Sequence, residues 1–187
     1  MYETSDFRNG LKIEYDNLPY VIIEFQHVKP GKGNAFTRTR IKNLIDGRVL
    51  QPTFKSGEKC KKPDVEEKTM QYLYAEGETL TFMDTTSYDQ VGIPKDNVGD
   101  PVRFLKENMD VNVLFWNGRA ISVDLPKHVP LKVIDTEPGH KGDTATNTTK
   151  SATVETGTVI QVPLFIKVGE TVRVDTETGH YIKRVNS

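Results

Sequence analysis

The sequence predicts an all-β protein made of three consecutive small β-barrel units of roughly 60 residues each, near the lower size limit for independent stability. Three observations carry this reading. Short runs with two-residue alternation recur from one end of the chain to the other. Gly, Pro and Asn/Asp turn signals separate them. Only one short stretch shows helical spacing.

Leu11–Tyr15 alternates Leu, Lys, Ile, Glu, Tyr. Asp16-Asn17 turns the chain, and Pro19–Phe25 returns it. Ala35–Leu44 is the next strand. Phe36, Arg38, Arg40 and Lys42 share one side of it, and Ala35, Thr37, Thr39 and Ile41 the other. Asp46-Gly47 closes a hairpin, and Arg48–Phe54 completes the first unit. Lys55–Pro63, polar and ended by proline, reads as its edge. In the second unit Met70, Tyr72 and Tyr74 alternate along Lys68–Tyr74, Glu76-Gly77 turns, and Thr79–Met83 returns. Gly92, Pro94, Gly99 and Pro101 make Tyr88–Pro101 read as irregular. Val102, Leu105 and Met109 fit one short helix over Val102–Asn108. Val111–Trp116 and Arg119–Asp124 form a hairpin about Asn117-Gly118, a pair suited to the type I′ turn. Trp116 is expected to pack in the core or between strands. Pro126 and Pro130 bracket a boundary. The third unit follows as Leu131–Thr136, the long polar loop Pro138–Lys150, then Ala152–Glu155, Val159–Pro163, Glu170–Asp175 and His180–Val185. The expected domains are 1–63, 64–127 and 128–187. The second and third read as five-stranded oligonucleotide-type barrels related by an internal repeat.

Composition narrows the function classes. Charged residues are 27% and hydrophobic residues 36%, which suits a soluble protein with modest cores. No apolar run approaches the roughly 20 residues of a membrane span, and the polar N-terminus does not read as a signal peptide. Cys60 is the single cysteine, so no intramolecular disulfide and no Cys-rich zinc site can form. The four histidines show no metal-ligand spacing. A cytoplasmic location is expected. The net charge of -1 hides an asymmetry. Residues 1–62 carry 12 Lys/Arg against 7 Asp/Glu, residues 63–125 carry 5 against 12, and residues 126–187 carry 8 against 7. A basic first third suggests a polyanion partner there.

Val28–Phe36 reads Val-Lys-Pro-Gly-Lys-Gly-Asn-Ala-Phe and lies between two strands. Pro30, Gly31 and Gly33 make a tight turn, with Asn34 beyond it and Lys32 at its tip. Two readings stand here: a solvated hairpin turn, or a lysine presented to a partner or a modifying enzyme. The cations Lys29, Arg38, Arg40 and Lys42 are either a solubilising face or a track for RNA phosphates. Catalytic signatures are missing. Gly31-Lys32-Gly33 lacks the spacing and hydroxyl of a phosphate-binding loop, and no Gly-x-Ser-x-Gly elbow occurs. Lys59, Lys61 and Lys62 could lower the Cys60 pKa, but no base is positioned beside it. The sequence points to a binding protein without catalytic residues or a metal.

Several motifs together resemble bacterial translation elongation factor P. They are Phe7-Arg8-Asn9-Gly10-Leu11, the Val28–Phe36 loop, Thr53-Phe54-Lys55, Tyr72-Leu73-Tyr74, Phe82-Met83, Gly118–Val123, Pro138–Ala145, Lys150-Ser151-Ala152 and Val162-Pro163-Leu164-Phe165. The resemblance runs through all three units in order. It implies an L-shaped protein with an SH3-like first domain and two OB-fold barrels. It also implies a factor that binds both ribosomal subunits between the P and E sites and contacts P-site peptidyl-tRNA and ribosomal RNA. Such a factor stimulates peptide-bond formation at consecutive prolines, acting as a monomer with no membrane partner. Lys32 matches the family's modified tip residue, which implies a Lys32-modifying enzyme and a covalent group of unknown type, with no dissociable cofactor. Gly142-Asp143-Thr144 matches a loop on the mRNA side. Two other readings remain open: a general single-stranded nucleic-acid binder, and the related two-domain factor whose lysine carries hypusine.

Overall fold

The computed structural model describes residues 1–139 and 148–186. Among these there is no α-helix, only 3-10 turns at Thr4–Asp6, Lys95–Asn97 and Asp100–Phe104.

The first sheet is built from β2 (Lys12–Tyr15), β3 (Leu18–Val28), β4 (Phe36–Asn43) and β5 (Val49–Leu50), in that order, with β6 (Thr53–Lys55) also pairing β4. A small ribbon of β1 (Tyr2–Glu3) and β7 (Lys59–Cys60) completes it. The alternation expected along β4 holds. Thr37, Thr39 and Ile41 are buried, and Arg38, Arg40 and Lys42 are exposed. Beneath them Phe7, Leu11, Ile13, Tyr20, Ile22, Ile41, Phe54 and Cys60 form one core. Phe7 meets Phe54 edge-on at 5.3 Å, the favoured arrangement of aromatic quadrupoles. Cys60 corrects the thiol expectation. It is buried, and loss of hydration, with Glu58 adding to it, pushes its pKa up despite the neighbouring lysines.

The second sheet has the order β10-β9-β8-β11-β12, from β8 (Val65–Glu76), β9 (Thr79–Asp84), β10 (Gln90–Pro94), β11 (Asp110–Trp116) and β12 (Arg119–Asp124). The third has the order β15-β14-β13-β16-β17, from β13 (His128–Thr136), β14 (Thr149–Val154), β15 (Val159–Pro163), β16 (Thr171–Asp175) and β17 (Tyr181–Val185). The two orders are the same. Each first strand also shifts register against its second, between Tyr72 and Tyr74 and between Val133 and Asp135. The internal repeat is therefore visible in topology.

Two local expectations change. Tyr88–Pro101 contains a strand, β10, where irregular chain was expected. It lies at a sheet edge, where Gly and Pro are tolerated. A Cβ on Gly92 would lie 2.9 Å from the Thr79 methyl, so a side chain at this position would have to displace that methyl. The short helix is a 3-10 turn over Asp100–Phe104, and its deeply buried member is Phe104. Asn117 and Gly118 both have positive φ, 50° and 78°, as a type I′ turn requires. Trp116 is half-buried.

The chain divides into two compact units, Met1–Lys68 with Val113–Ser122, and Thr69–Asn112 with Val123–Ser187. Within the second unit, Phe104 joins the core of the third sheet beside Val129, Leu131, Val133, Val154, Val172 and Val174. Lys106 pairs with Glu155 at 3.3 Å, and the Thr158 hydroxyl donates to the Arg103 carbonyl at 2.7 Å. Gly179 lets Arg103 lie close, since a Cβ there would come within 2.7 Å of its guanidinium.

A candidate RNA-facing tip

β3 and β4 make a long hairpin whose register runs from Tyr20 opposite Asn43 to Val28 opposite Phe36. The sheet holds the end of this hairpin with local contacts. His27 Nδ1 and Thr37 Oγ1 are 2.8 Å apart, Phe25 lies edge-on to the His27 ring at 5.4 Å, and Ser56 N–H donates to the Ala35 carbonyl at 3.1 Å. Residues 29–35 bridge the strands. All but the half-buried Ala35 are exposed, Lys32 included. The two glycines are not equivalent. Gly33 has φ 98°, a region L side chains rarely enter, whereas Gly31 does not need positive φ. A Cβ on either would meet nothing within 4 Å. Gly31 therefore keeps the tip slender, and Gly33 makes the bend.

The cations differ in their surroundings. Arg40 is paired with Glu24 at 3.0 Å, both exposed. Arg38 lies over the Phe36 ring at 5.4 Å. Among the described residues, Lys29, Lys32 and Lys42 take part in no ion pair. Such amines are ready to meet phosphates without first breaking an internal contact. Two features escaped the sequence. One is a groove of about 470 Å³ where Phe25, Arg38, Arg40 and Gln51 meet. The other is a cleft of about 450 Å³ beneath the tip, lined by His27, Lys29 and Phe36 among others. Both depend on cross-strand register, and β3 also slips register against β4 between Ile22 and Glu24. A single chain pattern carries no signal for that slip. Gly142, Asp143 and Thr144 lie outside the described residues. No group of three or more His, Cys, Asp or Glu side chains among the described residues is arranged to hold a metal. No helix there is long and apolar enough to cross a membrane.

Known families cover nearly the whole chain. A model for the elongation factor P KOW-like domain matches residues 3–60, one for the elongation factor P OB domain matches 65–123, and one for the elongation factor P C-terminal region matches 129–184. Elongation factor P of Campylobacter jejuni (strain RM1221) is 52% identical over 185 residues, covering 99% of this chain and 98% of that protein. Elongation factor P of Moorella thermoacetica is 53% identical over 184 residues, covering 98% and 100%. In fold, the chain is similar to eukaryotic translation initiation factor 5A from Methanococcus jannaschii, with TM-score 0.55 and 19% identity. That likeness covers 65% of this chain and 92% of the other. The shorter factor thus shares a portion of the architecture, whereas the identity of about one half with the elongation factor P proteins runs from end to end. The chain belongs to the elongation factor P family, and is a translation factor rather than an enzyme.

Proposed function

We propose that this protein binds the ribosome between the P and E sites, contacts the peptidyl-tRNA and stimulates peptide-bond formation, relieving stalls at consecutive prolines. As a translation elongation factor it works with the ribosome. The observation that carries the finer reading is the exposed Lys32 at the end of a hairpin whose strand face bears Arg38, Arg40 and Lys42. The roles divide accordingly. Arg38, Arg40, Lys42 and Lys29 hold RNA phosphates and set position without reading sequence. The slender Pro30–Asn34 tip carries the Lys32 amine toward the end of the tRNA. Proline is a poor partner in peptide transfer because its ring fixes φ and its nitrogen is secondary. Holding the tRNA end and the nascent chain in a reactive arrangement lowers an entropic barrier, with no acid–base chemistry asked of the protein. A lysine amine reaches only about 6 Å from its Cα, roughly two residues of extended chain. A covalent extension of Lys32 by a dedicated enzyme lengthens that reach. The domains of this reading are 1–63, 64–127 and 128–187, and the family-model spans support them. Gly142-Asp143-Thr144 contacts the mRNA side, and the protein acts in the cytoplasm as a monomer.

The test is ribosome co-sedimentation together with translation of a polyproline reporter, using protein purified from its native cell and its intact mass. Binding and restored read-through are expected. Absence of both with modified protein overturns the reading.

A further inference from the structure

One loop conformation is used three times. At the β4–β5 turn, Gly47 N–H donates to the Asn43 carbonyl at 2.9 Å, and Asn43 Oδ1 accepts from Ile45 N–H at 2.7 Å and Asp46 N–H at 3.2 Å. At the β16–β17 turn, Gly179 N–H donates to the Asp175 carbonyl at 2.8 Å, and Asp175 Oδ1 accepts from Glu177 and Thr178 N–H at 2.9 and 3.0 Å. At the β9–β10 turn, Tyr88 N–H donates to the Asp84 carbonyl at 2.9 Å, and Asp84 Oδ1 accepts from Thr86 and Ser87 N–H at 2.7 and 3.2 Å. The fifth position is left-handed each time, with φ of 78°, 77° and 64°. Glycine fills it twice, as its freedom from Cβ clashes favours. Tyr88 fills it once.

Tyr88 stands apart elsewhere too. Every other positive-φ position among the described residues is Gly, Asn or Asp. A bulky side chain there is an outlier that the surroundings must enforce. Packing does not explain it, because Tyr88 is 70% exposed, more than any other described large hydrophobic except Met1. The turn would be better served by glycine, and the core would not notice the change. What remains is a side chain carried into solvent by a hydrogen-bonded loop that fixes its backbone.

We propose that Tyr88 is a docking anchor that fits an apolar slot on a basic protein surface of the ribosome. This rests on the ribosome-binding reading above. Tyrosine suits the role because its ring fills a pocket and few torsions are frozen. The hydrogen-bonded turn fixes the backbone that carries the ring before contact, so less backbone freedom is lost on binding. Charge selects the partner class. Asp84 and Asp89 flank the ring in the chain, residues 84–91 contain no Lys or Arg, and residues 63–125 carry 5 Lys/Arg against 12 Asp/Glu. A platform for stacking nucleobases needs cations alongside to track the backbone. A cationic protein rim complements these carboxylates.

Full-length Tyr88→Gly and Tyr88→Phe variants test this by thermal unfolding and ribosome affinity, and benzoylphenylalanine at position 88 tests it by photo-crosslinking on ribosomes. Tyr88→Gly should unfold about 2 °C higher than the parent. It should bind ribosomes about fivefold or more weakly, and Tyr88→Phe within about twofold of the parent. The crosslink should fall on a basic ribosomal protein. A Tyr88→Gly variant that binds as tightly as the parent, or unfolds lower, overturns the proposal, as does a crosslink confined to ribosomal RNA. A parent that fails to bind ribosomes sinks the earlier reading instead, so the two failures are distinguishable.

Discussion

The Lys29–Ala35 tip and the Asp100–Phe104 turn are both short connections, and they are opposites. The tip exposes six of its seven residues, and its central side chain, Lys32, makes no ion pair among the described residues. The turn sends Phe104, 0% exposed, into the core of the third sheet. One segment contributes almost nothing to packing and is the candidate for chemistry-by-contact. The other contributes a whole aromatic ring to packing, and that ring has no exposed surface to offer a partner. Loops carry function when the scaffold, rather than the loop, supplies stability. The contrast predicts that the two can be broken separately.

The largest effect is expected at the buried end. Phe104→Ala should destabilise the protein by about 3–5 kcal/mol, because it removes a ring and leaves a cavity among Val129, Leu131 and Val172. Denaturant unfolding measures it, and hydrogen exchange locates it. Val129–Val133 should lose protection, while β3 and β4 keep theirs. Loss of protection in β3 and β4 as well would mean that the two compact units do not unfold separately.

At the tip the signs reverse. Lys32→Ala should leave the unfolding midpoint within about 1 °C of the parent, since no packing is removed. Stall relief should fall by about 10²-fold, the scale of losing a positioning group at a reacting centre. Lys32→Arg in the native host should fail nearly as badly, because it keeps the charge and denies a lysine-specific enzyme its substrate. Full activity of Lys32→Arg would show that charge alone suffices at the tip.

Legibility in the sequence follows the same contrast. The tip is readable because Pro30, Gly31, Lys32 and Gly33 are contiguous, and turn chemistry is local. The basic face of β4 is readable because its period is two. Phe104 is not. The spacing of Val102, Leu105 and Met109 suggests a helix, but the chain takes a 3-10 turn that sends Phe104 into a core assembled from residues beyond 128. Nothing within a short window encodes which distant sheet a ring will join. β10 is hidden for a related reason. Gly92 and Pro94 look like breakers until the strand is known to lie at an edge with Thr79 close beneath it. Charge is half-readable. The alternation along β4 places its cations correctly, but the Arg40–Glu24 pair depends on cross-strand register.

That pair grades the next effect. Arg38→Glu and Lys42→Glu should each weaken ribosome association and lower the salt slope by about one unit for each phosphate no longer neutralised. Arg40→Glu should do less, because Glu24 already offsets its charge at 3.0 Å. Glu24→Gln should tighten binding slightly, since an exposed pair of this kind is worth only about 0.2–1 kcal/mol. Equal losses from Arg38→Glu and Arg40→Glu would show that the pair opens freely on docking.

A small stabilising effect probes the turn that receives Arg103. The β14–β15 connection is closed by Gly157 N–H donating to the Val154 carbonyl at 2.8 Å and Val154 N–H to the Thr158 carbonyl at 2.9 Å. Thr158 then donates to the Arg103 carbonyl. Beside it, Thr156 Oγ1 is buried and meets no hydrogen-bond partner, alone in this respect among the side chains of the described residues. A hydroxyl taken out of water without a partner costs about 1–3 kcal/mol. Thr156→Val keeps the branched shape and exchanges the hydroxyl for a methyl, so it removes that cost without opening a cavity. It should raise stability by about 1 kcal/mol in denaturant unfolding and leave the Thr158–Arg103 bond in place. Thr156→Ser keeps the unpaired hydroxyl and loses a methyl, so it should lower stability. If Val destabilises and Ser does not, the hydroxyl has a partner in solution, and this turn is held by a polar contact rather than by shape.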